Sequence, residues 1–448
     1  MFTAYHLTVL LAIIPAVILL ETEVAYGQGL GIEVRDSKGT IVGRQGPAGD
    51  DPFEMGLFAV PILAVDAILL ASLSLRRRDF LGIKRSISHI LAIDASKRIT
   101  VVILTSLLAI YIGFSVSEIF DRETFSDFDQ LENDVERWPS DEVGIIGANY
   151  LLSIDYILFW VSLYVFGNIR LSPFLASIAL LFMTYLLTTE MARKRFAGLV
   201  AVIVLMQSRT FLAFDTVVSY DNFWALFYVV SIYMILKHRQ RVWGRFSPIL
   251  YYLSIASKPL AAIFVPASLH FIYKTEFSSR RQKLVAALPY LVFGTAMPVL
   301  ISGRIVVSTF GFDAELFWDV INGWPVLLAP DGFFFVFILP LVVALYLKAR
   351  RGAVLAESVI VFMMLNLWLP PFLAGSVGIA NASYRAVPLL VFFSIGIGML
   401  LANAEAKKET GLSKMISYAV ILLTLSIVVL TLTSTIFPSL IPSIVFAD

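Results

Sequence analysis

The chain has 448 residues, of which 58% are hydrophobic and 15% charged, with a mean hydropathy of +0.84. Soluble chains carry roughly a quarter charged residues, and apolar runs that are continuous rather than alternating exclude a β-barrel. No cysteine is present, which removes disulfides and thiolate metal sites, and a net charge of +1 points to no nucleic-acid partner.

Apolar runs near the ~20 residues that cross a bilayer recur along the whole length. The fold class expected is therefore all-α, a polytopic transmembrane helix bundle. In chain order the predicted spans fall at 5–20, 56–75, 99–118, 171–190, 197–213, 220–236, 284–302, 332–347, 354–372, 385–403 and 415–437. The first, "LTVLLAIIPAVILLETEVAYG", also reads as an export signal ending near Gly27, although Lys and Arg are missing ahead of it. Residues 247–273 begin and end on one side, so they cross twice or enter and return. Their break falls at "SIASKPLAA", where Pro259 ends a helix. Two short crossings there give about 13 spans, with the N-terminus inside and the C-terminus outside.

Charge fixes the sides. Basic clusters at Arg76 to Arg98, Arg193 to Arg195, Lys237 to Arg245, Lys274 to Lys283, Lys348 to Arg351 and Lys407 to Lys414 hold 24 of the 34 Lys and Arg. The positive-inside rule places all six in the cytoplasm. Parity then bears on "YLLSIDYILFWVSLYVF", residues 150–166. Were it a span, Arg193 to Arg195 would face outside. It is expected instead to be an external helix lying on the membrane surface, with Asp155 and the aromatics at the interface.

Four basic residues depart from the rule. Arg170, Arg209, Lys258 and Arg385 sit at or just inside the outer ends of spans, where an ionisable group is costly unless paired or solvated. Snorkelling to headgroups accounts for any one of them. Together they point to an external anion site that suits phosphate or pyrophosphate. The acidic counterpart is residues 118–142, with ten Asp and Glu against two Arg. Most of these carboxylates read as a solvated loop, but Asp127 and Asp129 follow a span closely, and Asp215 and Asp221 emerge on the same side. Asp221, just before "NFWALF", also reads as a helix N-cap.

Five stretches follow one another in order. They are "VFGNIR" (Phe166, Gly167, Arg170), "RKRFAG", "SRTFLAFDTVVSYDNFWALF", "ASKPLA" and "SYRAVPLL". In order and spacing they resemble the GT-C superfamily of membrane glycosyltransferases, closest to the protein O-mannosyltransferase and aminoarabinose transferase branch. The resemblance covers roughly residues 99–403, leaving 1–98 as accessory spans with an external loop and 404–448 as a C-terminal span. That branch carries an adjacent Asp-Glu pair early in its first loop, whereas here Asp127 and Asp129 come early and Asp141-Glu142 late.

The resemblance implies an inverting transferase in the cell membrane. It would move a sugar such as mannose from a polyprenyl-phosphate donor to a protein, glycan or lipid acceptor on the external face. Asp127 or Asp129 would take the acceptor's proton, and Arg170, Lys258 and Arg385 would hold the departing phosphate. Asp215 and Asp221 would orient the acceptor or balance the cations, and membrane lipids would surround the donor's tail. The four His residues (His6, His89, His238, His270) lie on or near the cytoplasmic side or in the first span, against an external zinc site. A carboxylate-held Mg²⁺ or Mn²⁺ stays open. A transporter or lipid flippase would show mid-membrane charges and repeated halves, and neither is visible. A non-catalytic subunit of a membrane complex stays open as well. The topology is checked by placing single cysteines near 168 and 194 and labelling with an impermeant reagent. Position 168 should label from outside and 194 only from inside.

Overall fold

The computed structural model describes residues 32–35, 41–45, 94–120, 128–137, 154–219, 221–237, 246–302, 338–377 and 383–402, with isolated positions at 244, 314, 317 and 331. Helix dominates them. The exception is a two-stranded antiparallel hairpin, β1 (Ile32–Arg35) and β2 (Ile41–Gln45), within the stretch 21–55 read above as a loop. The predicted spans at 5–20, 56–75 and 415–437 lie outside the described residues.

Helix α1 (Lys97–Ser115) starts at Ser96, whose hydroxyl accepts from the Ile99 N–H. Helix α2 (Phe128–Arg137) corrects the loop reading of the acidic segment. It buries Leu131 and Val135, one turn apart, while Asn133 and Glu136 face solvent. Helix α3 (Ile154–Phe166) ends where Gly167 takes a left-handed backbone (φ 73°). The N–H groups of Gly167 and Asn168 fold back onto Leu163 and Ser162, a glycine stop that a side chain would strain. The Asn168 side chain then donates to the Ile119 carbonyl at 3.0 Å. The chain therefore leaves α1 and enters α4 (Leu171–Ala192) at the same end of the bundle. The 13-residue α3, about 20 Å long, does not carry it to the other end.

Helix α4 turns at Arg193 and Lys194 into α5 (Arg195–Met206). The expected span 197–213 is not one helix. It stops at Met206 and restarts as α6 (Arg209–Ala213), because the Ser208 hydroxyl caps the Phe211 N–H and the Asp331 carboxylate takes the N–H groups of Arg209 and Thr210. Helices α7 (Asp221–Leu236) and α8 (Ser247–Ser257) run antiparallel. A 3₁₀ turn (Pro259–Phe264) leads to α9 (Val265–Lys274), then α10 (Arg280–Ser302). Helices α11 (Ile338–Arg350) and α12 (Ala356–Val377), a 3₁₀ turn (Ser383–Ala386) and α13 (Val387–Met399) complete the described bundle.

The two ends differ in chemistry. At one, Asp94 accepts from the Arg195 N–H at 3.0 Å, Lys237 pairs with Glu190, Lys274 pairs with Glu357, and Lys348 donates to the Ala402 carbonyl. Turns from five of the six basic clusters thus meet through described contacts or neighbour those that do. The other end gathers the buried polar groups described below. Between them the core is apolar, and every residue of α13 is buried, the pattern of a helix surrounded on all sides. Helices α1 and α4 are long and apolar enough to cross a membrane. Only 22% of the α1 span is buried, and Val102 and Phe114 are among its exposed residues. A soluble core helix would hide them.

Two glycines let the backbones close up. A Cβ at Gly398 would lie 2.6 Å from the Ala197 carbonyl oxygen, and one at Gly198 would lie 2.6 Å from that of Tyr185. Small residues at such crossings allow close helix contact in lipid. Gly198→Ala and Gly398→Ala should each cost about 1–3 kcal/mol through overpacking. A Cβ at Gly113 meets nothing within 4 Å, so Gly113→Ala should gain about 0.5–1 kcal/mol. Thermal unfolding in detergent separates these outcomes.

Candidate functional site

Helix α8 ends at Ser257 because the next residue precedes a proline, which disfavours helical backbone. Lys258 is extended (φ −148°, ψ 113°). This break carries the ammonium to Asp221, the first residue of α7. Lys258 Nζ donates to Asp221 Oδ1 at 2.6 Å and to Oδ2 at 2.7 Å, and Trp224 Nε1 donates to Oδ1 at 2.8 Å. The Asp221 and Lys258 side chains are 1% and 13% exposed. Lys258 is therefore held in a closed ion pair and does not snorkel. Among the described residues no backbone N–H reaches the Asp221 carboxylate, so its role is not capping.

Tyr384 joins a third segment to this pair. Its ring centroid lies 5.0 Å from Lys258 Nζ and 5.8 Å from Arg385 Cζ, distances at which a cation is attracted to the ring. Arg385 makes no ion pair among the described residues, and its Nε and Nη1 are buried without a hydrogen-bond partner there. Lys258 and Arg385, 127 positions apart in the sequence, thus meet at one aromatic ring beside Asp221.

Asp155 enters the same cluster from α3. It is fully buried, stands beside the Ser257 hydroxyl, and lies within electrostatic reach of Lys258 and Asp221. Among the described residues neither Asp155 oxygen nor Ser257 Oγ has a hydrogen-bond partner. Burial pushes the Asp155 carboxyl well above the usual carboxylate range, opposed by Ser257 and Lys258 and reinforced by the charge of Asp221. The sequence reading placed this residue at the membrane interface. A lone carboxylate inside "YLLSIDYILFWVSLYVF" was the available signal that it serves the site.

A second polar cluster holds α1, α4 and the α6–α7 connection together. Arg170 is buried and donates through Nε to the Thr216 carbonyl and through Nη2 to the Thr216 hydroxyl, each at 3.1 Å. Thr216 in turn leans on Glu118. Asp215 accepts from Ser115 Oγ at 2.9 Å through Oδ2, and its Oδ1 has no partner among the described residues. Asn222 donates to Ser177 Oγ and to the Phe214 carbonyl. The expectation that Asp215 balances an outer cation is corrected, because no cation contacts it among the described residues. Arg209 is corrected too. Its side chain is exposed, and only its backbone is engaged, by Asp331.

Asp127, Asp141 and Glu142 lie outside the described residues. Asp129 lies on α2 rather than in a loop, and its side chain is outside the description. Among the described residues no three His, Cys, Asp or Glu side chains gather closely enough to hold a metal. No protein-family model, no curated protein and no solved structure matches this chain.

Burial raises the Asp215 carboxyl to about 7, with hydrogen bonding from Ser115 pulling the other way. The folded state therefore holds the proton more tightly than the unfolded chain. The stability tied to that proton is fully present below the unfolded value of 3.8 and is lost as pH rises toward 7. Asp215→Asn should match the parent chain near pH 4 and exceed it at pH 8, by ~4 kcal/mol at most. Melting curves across that range measure the difference.

Proposed function

We propose that this chain is a multi-pass membrane transferase. In this reading it moves a sugar from a polyprenyl-phosphate donor to an acceptor hydroxyl on the external face, with inversion at the anomeric carbon. The observation that carries the reading is the meeting of Lys258, Arg385 and Asp221 around Tyr384, at the end of the bundle opposite the basic turns. The exposed apolar face of α1 and the separation of the two ends support a transmembrane bundle with its basic turns in the cytoplasm.

The chemistry asks for little more. An inverting displacement needs a bound leaving group, a positioned hydroxyl and a carboxylate to accept its proton. Arg385 supplies a planar guanidinium with two buried, unpartnered N–H groups that suit phosphate oxygens. Lys258 adds a point charge whose position is fixed by Asp221 and Trp224, so it needs no reorganisation when charge builds on the leaving phosphate. Arg170, closed onto Thr216, braces the entry to α4 and is not directed at the donor.

Arg385 is the cleaner probe of the two cations. Removing Lys258 strands the buried Asp221, at a cost of about 3–5 kcal/mol, whereas removing Arg385 breaks no ion pair among the described residues. Purified chain incubated with a panel of polyprenyl-phosphate sugars should release lipid phosphate. Arg385→Ala should lower kcat/KM at least about 10²-fold, the scale of a lost charge-stabilising donor, with the melting temperature nearly unchanged. Arg385→Lys should recover only part of it. Absence of turnover with every donor would exclude the reading.

A further inference from the structure

The buried polar groups left without partners are not spread evenly around the Lys258–Asp221 pair. Asp155 contributes both carboxylate oxygens, Ser257 its hydroxyl and Arg385 two N–H groups. Those atoms come from α3, the end of α8 and the turn before α13. Asp155 and Ser257 flank the pair, and Arg385 meets it across Tyr384. An unpaired carboxylate in a closed interior is expensive, because its water is lost and nothing replaces it. Asp221 shows the alternative, since every contact it has within the cluster is a donor. Asp155 stands beside the same Lys258 and is not bonded to it. What it lacks is a donor, and an acceptor hydroxyl brings one. Catalytic hydrogen bonds are often open before substrate binds and close in the reacting complex.

From this arrangement we infer that Asp155, rather than Asp127 or Asp129, accepts the proton of the acceptor hydroxyl, an assignment that rests on the transferase reading above. In the step, the hydroxyl oxygen bonds to the anomeric carbon. The bond from that carbon to the donor phosphate oxygen breaks, and its electron pair leaves with the lipid phosphate. The hydroxyl proton passes to an Asp155 oxygen. Charge balances within the site. The phosphodiester carries one negative charge and the departing phosphomonoester two, while Asp155 goes from one to none. The net charge facing Lys258, Arg385 and Asp221 is unchanged across the reaction, which matters in a region closed to water. Burial, by strengthening Asp155 as a base, works in the same direction.

The test uses the full chain in detergent with three readouts. Asp155→Asn keeps the side-chain shape and removes the base. It should lower turnover of the polyprenyl-phosphate sugar at least about 10²-fold, while binding farnesyl phosphate within about threefold of the parent chain, since in this assignment Asp155 does not touch the phosphate. The third readout is azide, a nucleophile with no proton to lose. Asp155→Ala supplied with azide should release lipid phosphate and form the glycosyl azide with inverted configuration, a rescue that a structural role would not produce. An Asp155→Asn chain that keeps more than a tenth of parental turnover overturns the assignment and leaves the transferase reading standing. So does one that loses farnesyl phosphate binding as Arg385→Ala does, or an Asp127→Asn or Asp129→Asn chain that loses turnover while Asp155→Asn retains it. A parent chain inactive with every donor overturns both.

Discussion

The buried ion pair between Lys258 and Asp221 is the constraint around which this end of the bundle is built. Neither group is stable in an apolar surround alone. Their meeting requires α8 to stop at Ser257, α7 to start at Asp221, and the two helices to lie antiparallel with those ends level. Pro259 enforces the stop, and Trp224 holds the carboxylate from one turn further along α7. Once the pair is placed, Tyr384 has a cation to cover, and the turn before α13 is docked with Arg385 facing the same region.

The rest of the bundle follows from separating two kinds of polar group. Basic side chains in the turns at one end pair with scattered acids such as Glu190 and Glu357, and these contacts are partly open to solvent. At the other end the polar groups are closed in, and several remain unsatisfied. Arg170 and Thr216, Asp215 and Ser115, and Ser208 and Asp331 tie the connections together there. The apolar middle, with Phe362 and Phe392 stacked at 4.4 Å, holds the ends apart.

Much of this was legible in the sequence. Apolar run length located α1, α4, α7, α10 and α12 to within a few residues, because each run is long and ends in charge. Counting basic clusters separated the two ends and predicted that 150–166 would not carry the chain across. The sequence also named Lys258, Asp221 and Arg385. Other features were hidden for physical reasons. The break at Gln207 and Ser208 depends on Asp331, more than a hundred residues away, and no local signal reports that. Asp155 looked interfacial because an aromatic-rich helix with one carboxylate has the same composition at a surface as in a packed corner. Whether Asp215 faces a cation is decided by helix rotation, which an apolar run does not encode.

Helix α13 has a consequence for how the chain is made. It is the most enclosed helix described, yet among the described helices it is the last to be synthesised. Helices α4 and α5 therefore enter the membrane before the surface that fills the space beside Gly198 and Thr188 exists. Until α13 arrives, the growing chain holds an unfilled slot between earlier helices, and Lys258 has no Tyr384 to cover it. Such late, long-range closure slows folding and prolongs exposure of unfinished intermediates. A ribosome stalled before residue 387 would leave a protein with nearly all its helices and no centre, a natural substrate for membrane quality control.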